Sequence, residues 1–460
     1  MRILLISHPS SRPRRPDFPP IGIAYLGAVV RNRGHEVFLV DGELTGLEGI
    51  VEEAKRLGPD IVGVTCWTIN RGAVWELCRA LKRVLPRAFL VLGGQHASIY
   101  PEHIFQKTHA GAVVIGEGEE TLCELLEVLG SGGDLALVSG IAYRTRDGDI
   151  RRTEPRPQIE DLDTVPFPYY EGFRGFGFQQ YGGFAGLPRP TAAVITSRGC
   201  VFNCSYCGSV RFWGKKWRRR SARNVLDEVE HLVSDMGARS IFMFDDNFPV
   251  NRKRAMEICG GIIDRFPGME WACCSHVKMV NEELLDIMKR SGCISIDFGV
   301  ESGDNGILRN INKNQTREDI ERAFALAHKA GIRPRAYLMV GNMGETTGTI
   351  DETIDMIGSI KPYSSIGATI LWLLPGTDVF REACEKGFID DSYWLEKDDM
   401  PYNVQEHTYE ELLGLRQRLM RGIARKKGGI APLVSFYLKT IYYRYPSLGR
   451  MRSLIPDWLR

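Results

Sequence analysis

The stretch TAAVITSRGCVFNCSYC, residues 191–207, decides how the rest of the chain is interpreted. Its apolar part, residues 192–196, predicts a strand, and a polar loop with Cys200, Cys204 and Cys207 follows. The CxxxCxxC spacing gathers three thiolates within eight residues, and iron–sulfur clusters are held by cysteine thiolates, usually four. Because no fourth cysteine lies close by in the sequence, one iron of such a cluster would stay open to bind and reduce a substrate.

Two other roles for these cysteines fit the spacing less well. A structural zinc site takes four ligands, commonly as two separated pairs. The other cysteines of the central region are scattered without a second CxxC: Cys259, Cys273, Cys274 and Cys293. Three buried structural cysteines at this spacing, in a polar loop, would be a coincidence. The pattern therefore favours an iron–sulfur cluster.

The composition is that of a globular protein with several domains. The chain has 460 residues, 43% hydrophobic and 25% charged, with a net charge of +2 and eleven cysteines. The small net charge gives no sign of a nucleic-acid partner, and so few cysteines in this length do not make a disulfide scaffold. The first residues, Met1-Arg2-Ile3, lead us to expect no signal peptide, and the sequence contains no run of about 18 apolar residues. We therefore expect a cytoplasmic protein without a membrane-spanning helix.

The first third of the chain alternates short apolar runs with amphipathic stretches. Strands are predicted to begin at Ile3, Val37, Ile61, Phe89 and Ala112, with helices between them such as Ile21–Arg33 and Leu47–Leu57. This alternation indicates a doubly wound parallel sheet of the α/β class. A further pair of strands flanks Asp147-Gly148, which is a strong hairpin signal.

Glycines follow two of these strands, at 93–94 and at 116 and 118. Ligands bind doubly wound sheets at the carboxyl ends of the strands, where glycine lets the backbone approach closely. The dinucleotide fingerprint GxGxxG is absent after the first strand, where His8-Pro9-Ser10 stands instead. We therefore expect a binding module for another ligand. The alternative is that these glycines only make tight turns.

A second series of strands and helices begins at the cysteine loop. Six strands are predicted: 192–196, 241–244, 271–275, 295–300, 335–340 and 366–373. A helix over Arg223–Met236 follows the first of them, with Ser221 as its N-cap. Polar residues such as Asp245, His276 and Glu301 follow later strands, where a βα barrel places its active site. Six units indicate a partial, open barrel.

The chain is thus expected to divide into four regions. Residues 1–140 form the sheet domain and 141–190 a hairpin and a Pro-, Gly- and aromatic-rich linker that packs. Residues 191–380 form the partial barrel, and 381–460 a mainly helical C-terminal region.

The motifs together resemble the cobalamin-dependent radical S-adenosylmethionine (SAM) family. The CxxxCxxC loop with Tyr206 before its last cysteine, and FGVESG at 298–303, are similar to motifs of the radical SAM superfamily. GGQH at 93–96 and GEGEE at 116–120 resemble the cobalamin-binding domain that precedes the barrel in this branch. The resemblance covers residues 1–380 and implies a Rossmann-like cobalamin-binding domain followed by a partial (βα)6 barrel.

The resemblance also implies three cofactors and the residues that bind them. Cys200, Cys204 and Cys207 would hold a 4Fe–4S cluster whose open iron is chelated by SAM. The residues implied to contact SAM are Tyr206, Asp245, Asp246, His276, Glu301 and Arg335. Those implied to line the cobalamin groove are Thr65, Gly93, Gly94, Gln95, Gly116, Glu117 and Gly118.

Several of these residues have an ordinary structural alternative. Either aspartate at 245–246 could cap a helix, the ring of Tyr206 could fill the underside of the loop, and His276 could be a satisfied core histidine. Arg335 could be a structural arginine at the start of a strand. The family's Asp-x-His-x-x-Gly signature is absent, so no histidine from that motif is expected to ligate cobalamin.

The implied activity is reductive cleavage of SAM to methionine and a 5′-deoxyadenosyl radical, which is oxygen-sensitive chemistry. The first hypothesis is methylation of an unactivated carbon of a small molecule, lipid or natural product. A second keeps the cofactors but cyclises the substrate, as in the anaerobic magnesium-protoporphyrin ester cyclases. A third, of another class, is an iron–sulfur electron-transfer protein. No catalytic side chain is singled out beyond the cofactor ligands.

Two basic or aromatic segments suggest partners. The run RFWGKKWRRR, residues 211–220, could meet an anionic substrate, a nucleic acid or an acidic electron donor such as flavodoxin or ferredoxin, or could be a solvated helix approach. No nucleic-acid module is visible elsewhere. An amphipathic helix is predicted over Tyr409–Arg425, and the aromatic segment Leu433–Tyr445 and Trp458 follow. They would cap the barrel or contact the inner face of the membrane, where a lipid or porphyrin substrate would lie.

Overall fold

A computed structural model provides the coordinates of the protein. It describes residues 1–7, 9, 15–184, 186–363, 365–396 and 406–426. Strands and helices alternate in both halves of this part of the chain, so the protein belongs to the α/β class.

The first half is a seven-stranded sheet with helices on its faces. Its strands are β1 (Arg2–Ile6), β2 (Glu36–Val40), β3 (Ile61–Thr65), β4 (Phe89–Gly93), β5 (Ala112–Val114), β6 (Ile141–Arg144) and β7 (Ile150–Arg152). Its helices are α1 (Ile21–Asn32), α2 (Gly42–Leu57), α3 (Arg71–Val84), α4 (Gln95–Ile99), α5 (Pro101–Lys107) and α6 (Glu119–Ser131). The order is β2-β1-β3-β4-β5-β6-β7, with β1 to β5 parallel. The doubly wound sheet is confirmed.

The hairpin is confirmed, because β6 and β7 pair antiparallel around Asp147-Gly148. The predicted helix over Leu47–Leu57 is the regular part of α2, which follows a kink at the non-helical residue Gly46. A short turn before the kink, from Gly42, was not predicted. The Asp41 side chain accepts the backbone N–H of Glu43 and caps this turn. Helices α4 and α5, after Gly94, have no counterpart in the sequence analysis.

The linker that ends at residue 190, between the hairpin and the barrel, is packed against the protein and is not a flexible tether. Its aromatic rings stack on one another, with Tyr170 and Phe176 centroids 5.1 Å apart and Phe176 edge-on to Phe178 at 4.9 Å. Phe173 bridges to Leu39 at the edge of the first sheet. The linker therefore packs against the first sheet.

The second half is a six-stranded parallel sheet that curls into a half-barrel. Its strands are β8 (Thr191–Val194), β11 (Ser240–Met243), β12 (Glu270–Ser275), β13 (Cys293–Glu301), β14 (Arg333–Val340) and β15 (Ser365–Ile370), in the order β15-β14-β13-β12-β11-β8; β9 (Ser197–Arg198) and β10 (Arg218–Arg219) form a separate antiparallel pair. Its helices are α7 (Ser209–Trp213), α8 (Ala222–Glu230), α9 (Arg252–Arg265), α10 (Glu282–Arg290), α11 (Asn305–Asn310), α12 (Arg317–Lys329), α13 (Thr347–Ile360) and α14 (Asp378–Glu385). The partial barrel of six units is confirmed. Ser221 caps α8 as predicted, although the last turn before Met236 is a π-helix.

Alternation along β13 decides which side chains face the concave side of the half-barrel. Ile296, Phe298 and Val300 are fully buried on the helix side, where the Phe298 ring lies 5.3 Å from that of Phe324 on α12. Successive side chains of a strand point to opposite faces. Asp297 therefore faces the concave side, where an active site would be built. Glu301 follows a β-bulge, and its side chain contacts Tyr206 of the CxxxCxxC loop.

The basic run 211–220 matches the solvated helix approach considered above only in part. It forms α7 and β10, and two of its arginines, Arg218 and Arg220, are buried. Arg218 pairs with Glu117 at 2.8 Å, and Arg220 pairs with Glu228. Two of the six basic residues of the run are therefore neutralised inside the protein, and the other four are exposed: Arg211, Lys215, Lys216 and Arg219.

The described part of the C-terminal region is helical and packs against both halves. Helix α15 (Tyr409–Lys426) packs on α13, with Arg418 bonded to Asp351 at 2.6 Å. Before it, the buried Trp394 donates its indole N–H to the carbonyl of Leu373 and lies 5.1 Å from the guanidinium of Arg71 in the first half. No helix among the described residues is long and apolar enough to cross a bilayer. The predicted segment Leu433–Tyr445 and Trp458 lie outside the described residues.

Candidate active site

The three cysteines of the CxxxCxxC loop are half-buried and close enough to influence one another. Every pair among Cys200, Cys204 and Cys207 interacts electrostatically. Burial raises the pKa of each thiol, and the ammonium group of Lys313 opposes that shift in all three. A nearby cation favours thiolates, which are the form that binds iron.

The donor set fits a cluster better than a single ion. Among the described residues, no three His, Cys, Asp or Glu side chains converge on one metal position. In a 4Fe–4S cluster, each cysteine binds a different iron atom, so the thiolates need not converge on one point. The loop presents three sulfur donors beside a buried cation, and this arrangement suits a polynuclear cluster with thiolate ligands.

Glu301 lies beside the cluster loop, in a triad with Tyr206 and Lys313. The hydroxyl of Tyr206 donates to Glu301 Oε1 at 2.9 Å, and Lys313 Nζ reaches the same oxygen at 2.8 Å and the Tyr206 hydroxyl at 2.9 Å. Glu301 has φ = 63°, a left-handed conformation that non-glycine residues seldom adopt. The sheet thus holds this carboxylate in a strained position against the loop, as functional sites often do.

Lys313 was not singled out from the sequence. It stands between Asn312 and Asn314, both with positive φ, in a stretch that has the composition of an exposed turn. In the structure it is buried, and Glu301 raises its pKa against the effect of burial. Only the fold brings this cation next to the cysteines, and no spacing rule would have found it.

The two aspartates after β11 do different things. Asp245 is buried, and its carboxylate accepts bonds from the backbone N–H and hydroxyl groups of Thr196 and Ser197, at 2.5 to 3.2 Å. It therefore fixes the start of the cluster loop and has little capacity left for a ligand. Asp246 is exposed and accepts a bond from Ser209, two residues beyond Cys207. Of the two, Asp246 is the one open to a ligand.

His276 supports the cluster loop from the other side. Its ring stacks on Phe202, between the first two cysteines, with centroids 3.8 Å apart. Nδ1 accepts the backbone N–H of Lys278, and Nε2 lies 2.9 Å from the carbonyl of Lys313. These partners require a neutral ring with its proton on Nε2, and burial lowers the pKa of His276 to about 4.

This neutral histidine predicts a loss of stability in acid. The ordinary pKa of histidine is 6.5, so below that pH the unfolded chain takes up a proton that the folded protein refuses until about pH 4. The free energy of unfolding should fall by about 3 kcal/mol as the pH falls from 6.5 to 4, and level off below that. Urea denaturation of the wild type and of His276→Gln across this range gives the difference. Parallel pH profiles for the two proteins would contradict the assignment.

Arg335 does not join the other predicted SAM residues. It lies beside Asp297, with Nε 3.5 Å from Oδ1, deep on the concave face. Asp297 lies opposite Arg335 and Glu301 opposite Leu338, with a β-bulge between Gly299 and Glu301, so Asp297 and Glu301 are roughly 10 Å apart along the sheet. The Tyr337 hydroxyl also approaches the Asp297 carboxylate. The structure thus separates Arg335 from the cluster loop and places it at the bottom of the half-barrel.

The predicted cobalamin residues lie together at the carboxyl-terminal ends of the strands of the first sheet. Thr65 at the end of β3 is opposite Gly93 at the end of β4. A Cβ on Gly94 would come within 2.9 Å of the Cys66 carbonyl, so only glycine fits there. Gly116 has φ = 79° and opens onto free space, while Ser98 Oγ accepts its backbone N–H. Backbone exposed beside empty space is a suitable cradle for a large ligand such as cobalamin.

These strand ends face the cluster loop. The side chain of Gln95 lies where a Cβ on Gly208 would be, 2.5 Å from the Gln95 amide nitrogen, and Gly208 follows Cys207 directly. Two other residues predicted to bind cobalamin, Gly118 and Glu117, make contacts within the protein. The backbone of Gly118 lies against Leu26, and the side chain of Glu117 turns away into the boundary between the two halves.

Four buried charges cross that boundary, and we call them the interdomain charge cluster: Glu117, Glu119, Arg198 and Arg218. Arg198 donates to Glu117 at 2.6 Å and also to Glu119, and Arg218 donates to Glu117 at 2.8 Å. At most 9% of each of these side chains is exposed. Arg198 lies two residues before Cys200, so the first sheet holds the base of the cluster loop directly.

Comparison with known proteins assigns both halves to families. The B12 binding domain model matches residues 12–126, and the Radical SAM superfamily model matches residues 194–357. An uncharacterized methyltransferase of Pyrococcus horikoshii is 32% identical over 402 residues, which are 86% of this chain and 85% of that protein. An anaerobic magnesium-protoporphyrin IX monomethyl ester cyclase of Rubrivivax gelatinosus is 31% identical, over 84% of this chain and 70% of its own length.

Solved structures share the fold. The radical SAM methyltransferase TsrM from Kitasatospora setae, solved with tryptophan and a SAM analogue, matches with a TM-score of 0.69 at 22% identity, over 84% of this chain and 76% of that one. The cobalamin-dependent SAM radical enzyme OxsB matches with a TM-score of 0.67 at 19% identity, over 93% of this chain and 61% of that one.

The parallel sheet, the half-barrel and the three-cysteine loop at its mouth define the class of radical SAM enzymes. With the B12 binding domain in front of the barrel, the chain belongs to the cobalamin-dependent radical SAM family. The cofactors are therefore a 4Fe–4S cluster, SAM and cobalamin, and the electron-transfer hypothesis is set aside.

Proposed function

We propose that the protein methylates an unactivated carbon of a small molecule, with SAM as the source of the methyl group. The observation that carries this proposal is the boundary between the two halves. There the strand ends of the B12 binding domain face the loop that would hold the cluster, and Gln95 lies against Gly208. The methyltransferase of Pyrococcus horikoshii, which matches over most of both chains, supports the same reaction class.

Bound together, the three cofactors supply reductive cleavage of SAM to a 5′-deoxyadenosyl radical and a carrier for the methyl group. In the proposal, Cys200, Cys204 and Cys207 hold the cluster through their thiolates. Glu301 accepts a hydrogen bond from SAM and is kept in place by Lys313. The half-barrel excludes water from the reacting atoms, which protects a radical from side reactions.

The cobalamin groove in this proposal is formed by backbone. Thr65, Gly93, Gly94 and Gly116 border it, and Glu117 acts through the interdomain charge cluster without touching the ligand. Arg335 contacts the substrate at the far end of the barrel and does not bind SAM in this proposal. The electron comes from a reduced protein such as flavodoxin or ferredoxin, and the enzyme works in the cytoplasm.

The test is anaerobic reconstitution with iron, sulfide, cobalamin, SAM and a reductant, followed by analysis of the products. Methyl transfer predicts that S-adenosylhomocysteine and 5′-deoxyadenosine both form when a substrate is present. SAM labelled in its methyl group should then label the product. Absence of 5′-deoxyadenosine from a protein with an intact cluster would exclude the radical reaction for that substrate.

Cyclisation is a second candidate, because a cyclase relative is 31% identical. It would use the same cofactors and the same half-barrel. It predicts 5′-deoxyadenosine without S-adenosylhomocysteine and a product that carries no label from the methyl group of SAM. The same reconstitution therefore separates the two reactions.

A further inference from the structure

The concave face of the half-barrel carries four phenylalanines in mutual contact, which we call the aromatic ladder: Phe18, Phe184, Phe242 and Phe244. Phe244 lies 5.8 Å from Phe18, Phe18 stacks on Phe242 at 5.5 Å, and Phe242 stacks on Phe184 at 4.3 Å. The ladder is built from three parts of the chain, since Phe18 precedes α1 and Phe184 belongs to the linker. Phe244 is 50% exposed.

The inner end of the ladder is polar. The guanidinium of Arg335 lies 4.3 Å from the centre of the Phe184 ring, and Arg335 Nε is 3.5 Å from Asp297 Oδ1. The side chain of Asp297 has no exposed surface and that of Arg335 is 13% exposed. A buried charged pair thus lies directly behind an apolar surface.

This pair is poorly satisfied by the protein. Both carboxylate oxygens of Asp297, and Nε and one terminal nitrogen of Arg335, are buried without a well-formed hydrogen bond within the described part of the chain. Buried polar groups are almost always hydrogen-bonded, and leaving one unpaired costs about 1–3 kcal/mol. The 3.5 Å ion pair and the nearby Tyr337 hydroxyl therefore leave hydrogen-bonding capacity on both side chains, which a bound ligand could use.

We propose that the concave face binds the substrate, and that the substrate has a flat apolar body ending in an uncharged polar group. The body lies along the aromatic ladder, and the polar group donates to Asp297 and accepts from Arg335. A lactam, a primary amide or a phenol has this chemistry. A carboxylate would meet Asp297 and an ammonium group would meet Arg335, so a charged end is disfavoured.

The depth of the pair fixes where such a molecule reacts. Asp297 lies roughly 10 Å below Glu301 along the sheet. A substrate anchored at Asp297 and Arg335 therefore reaches the cofactors with its far end. The carbon that reacts lies at the apolar end of the molecule, away from the polar group, and has no neighbouring group to activate it. This inference rests on the proposed function only in that the bound molecule is the substrate.

Binding of probe compounds tests the inference without turnover. The probes are 2-quinolinone, a flat neutral lactam; 1-methyl-2-quinolinone, which lacks the N–H donor; and 2-naphthoate, which is anionic. Equilibrium dialysis against the reconstituted holoenzyme measures the affinity of each. We expect 2-quinolinone to bind about tenfold more tightly than either of the others, because only it pairs with both Asp297 and Arg335.

Three variants locate the site. Arg335→Met should abolish the preference for 2-quinolinone. Phe244→Ala, on a half-exposed ring at the outer end of the ladder, should weaken the binding of all three probes by about threefold to tenfold. Phe388→Ala is the matched control, since Phe388 is 53% exposed outside the half-barrel, and it should change nothing.

Equal affinity for the two quinolinones, tightest binding of 2-naphthoate, or affinities that Phe244→Ala leaves unchanged would overturn the inference. A holoenzyme that binds 2-quinolinone as expected but forms no S-adenosylhomocysteine with any substrate would instead count against methyl transfer. The two failures are thus distinguishable.

Discussion

Cys204→Ala should abolish the 4Fe–4S cluster and, with it, all SAM cleavage. The variant leaves two thiolates, and two cannot hold a cluster that normally takes its protein ligands from cysteine. After anaerobic reconstitution, we expect the iron and sulfide content and the absorption of the cluster to fall to background. Formation of 5′-deoxyadenosine should fall to that of a protein-free control.

Cys384→Ala is the matched control, because Cys384 is another half-buried cysteine and lies near the C-terminal end of α14, five residues beyond the Val379 N–H that bonds the carbonyl of Ser205 in the loop. It should keep the full cluster and normal SAM cleavage. A normal cluster spectrum in Cys204→Ala would contradict the ligand assignment. Cobalamin binding should survive in both variants, since the first sheet is untouched, and this shows that the loss is local.

Arg198→Met should destabilise the protein by about 3–5 kcal/mol. The change removes one cation from the interdomain charge cluster and leaves Glu119 buried without its partner, while Glu117 keeps Arg218. Breaking a buried pair in this way is far more damaging than breaking an exposed one. Urea denaturation should show an earlier first transition.

Arg152→Met is the matched control. Arg152 pairs with Glu102 at 2.6 Å, but about half of each side chain is exposed, so its loss should cost less than about 1 kcal/mol. The double variant Arg198→Met, Glu119→Gln should recover part of the lost stability, because it removes the stranded negative charge. An Arg198→Met protein no less stable than Arg152→Met would contradict a structural role for the cluster of charges.

The fold could be predicted from the sequence because its patterns are local. Continuous apolar runs marked the strands of both sheets, and the rule that polar residues collect at strand ends led to Glu301 and His276. Asp147-Gly148 marked the hairpin. Each of these signals lies within a few neighbouring residues, and burial on both faces of a parallel sheet produces them directly.

The electrostatic part of the site could not be predicted in the same way. Lys313, Arg198 and Arg218 are residue types that are usually exposed. Here they are buried against carboxylates that lie 12, 81 and 101 residues away in the chain. Arg335 was correctly placed on a strand, but its distance from Glu301 depends on the register between β13 and β14. Long-range pairing of charges leaves no periodic trace in a sequence.

Trp394 has a consequence for synthesis of the chain. It fills a position between Leu373 of the barrel and Arg71 of the first half, more than 300 residues earlier. During translation, the side of the first sheet around Arg71 therefore stays uncovered until almost the whole barrel has emerged from the ribosome. The nascent B12 binding domain should be the part most dependent on chaperones. The surface around Arg71 is covered only after Trp394, one of the last tryptophans of the chain, has been synthesised.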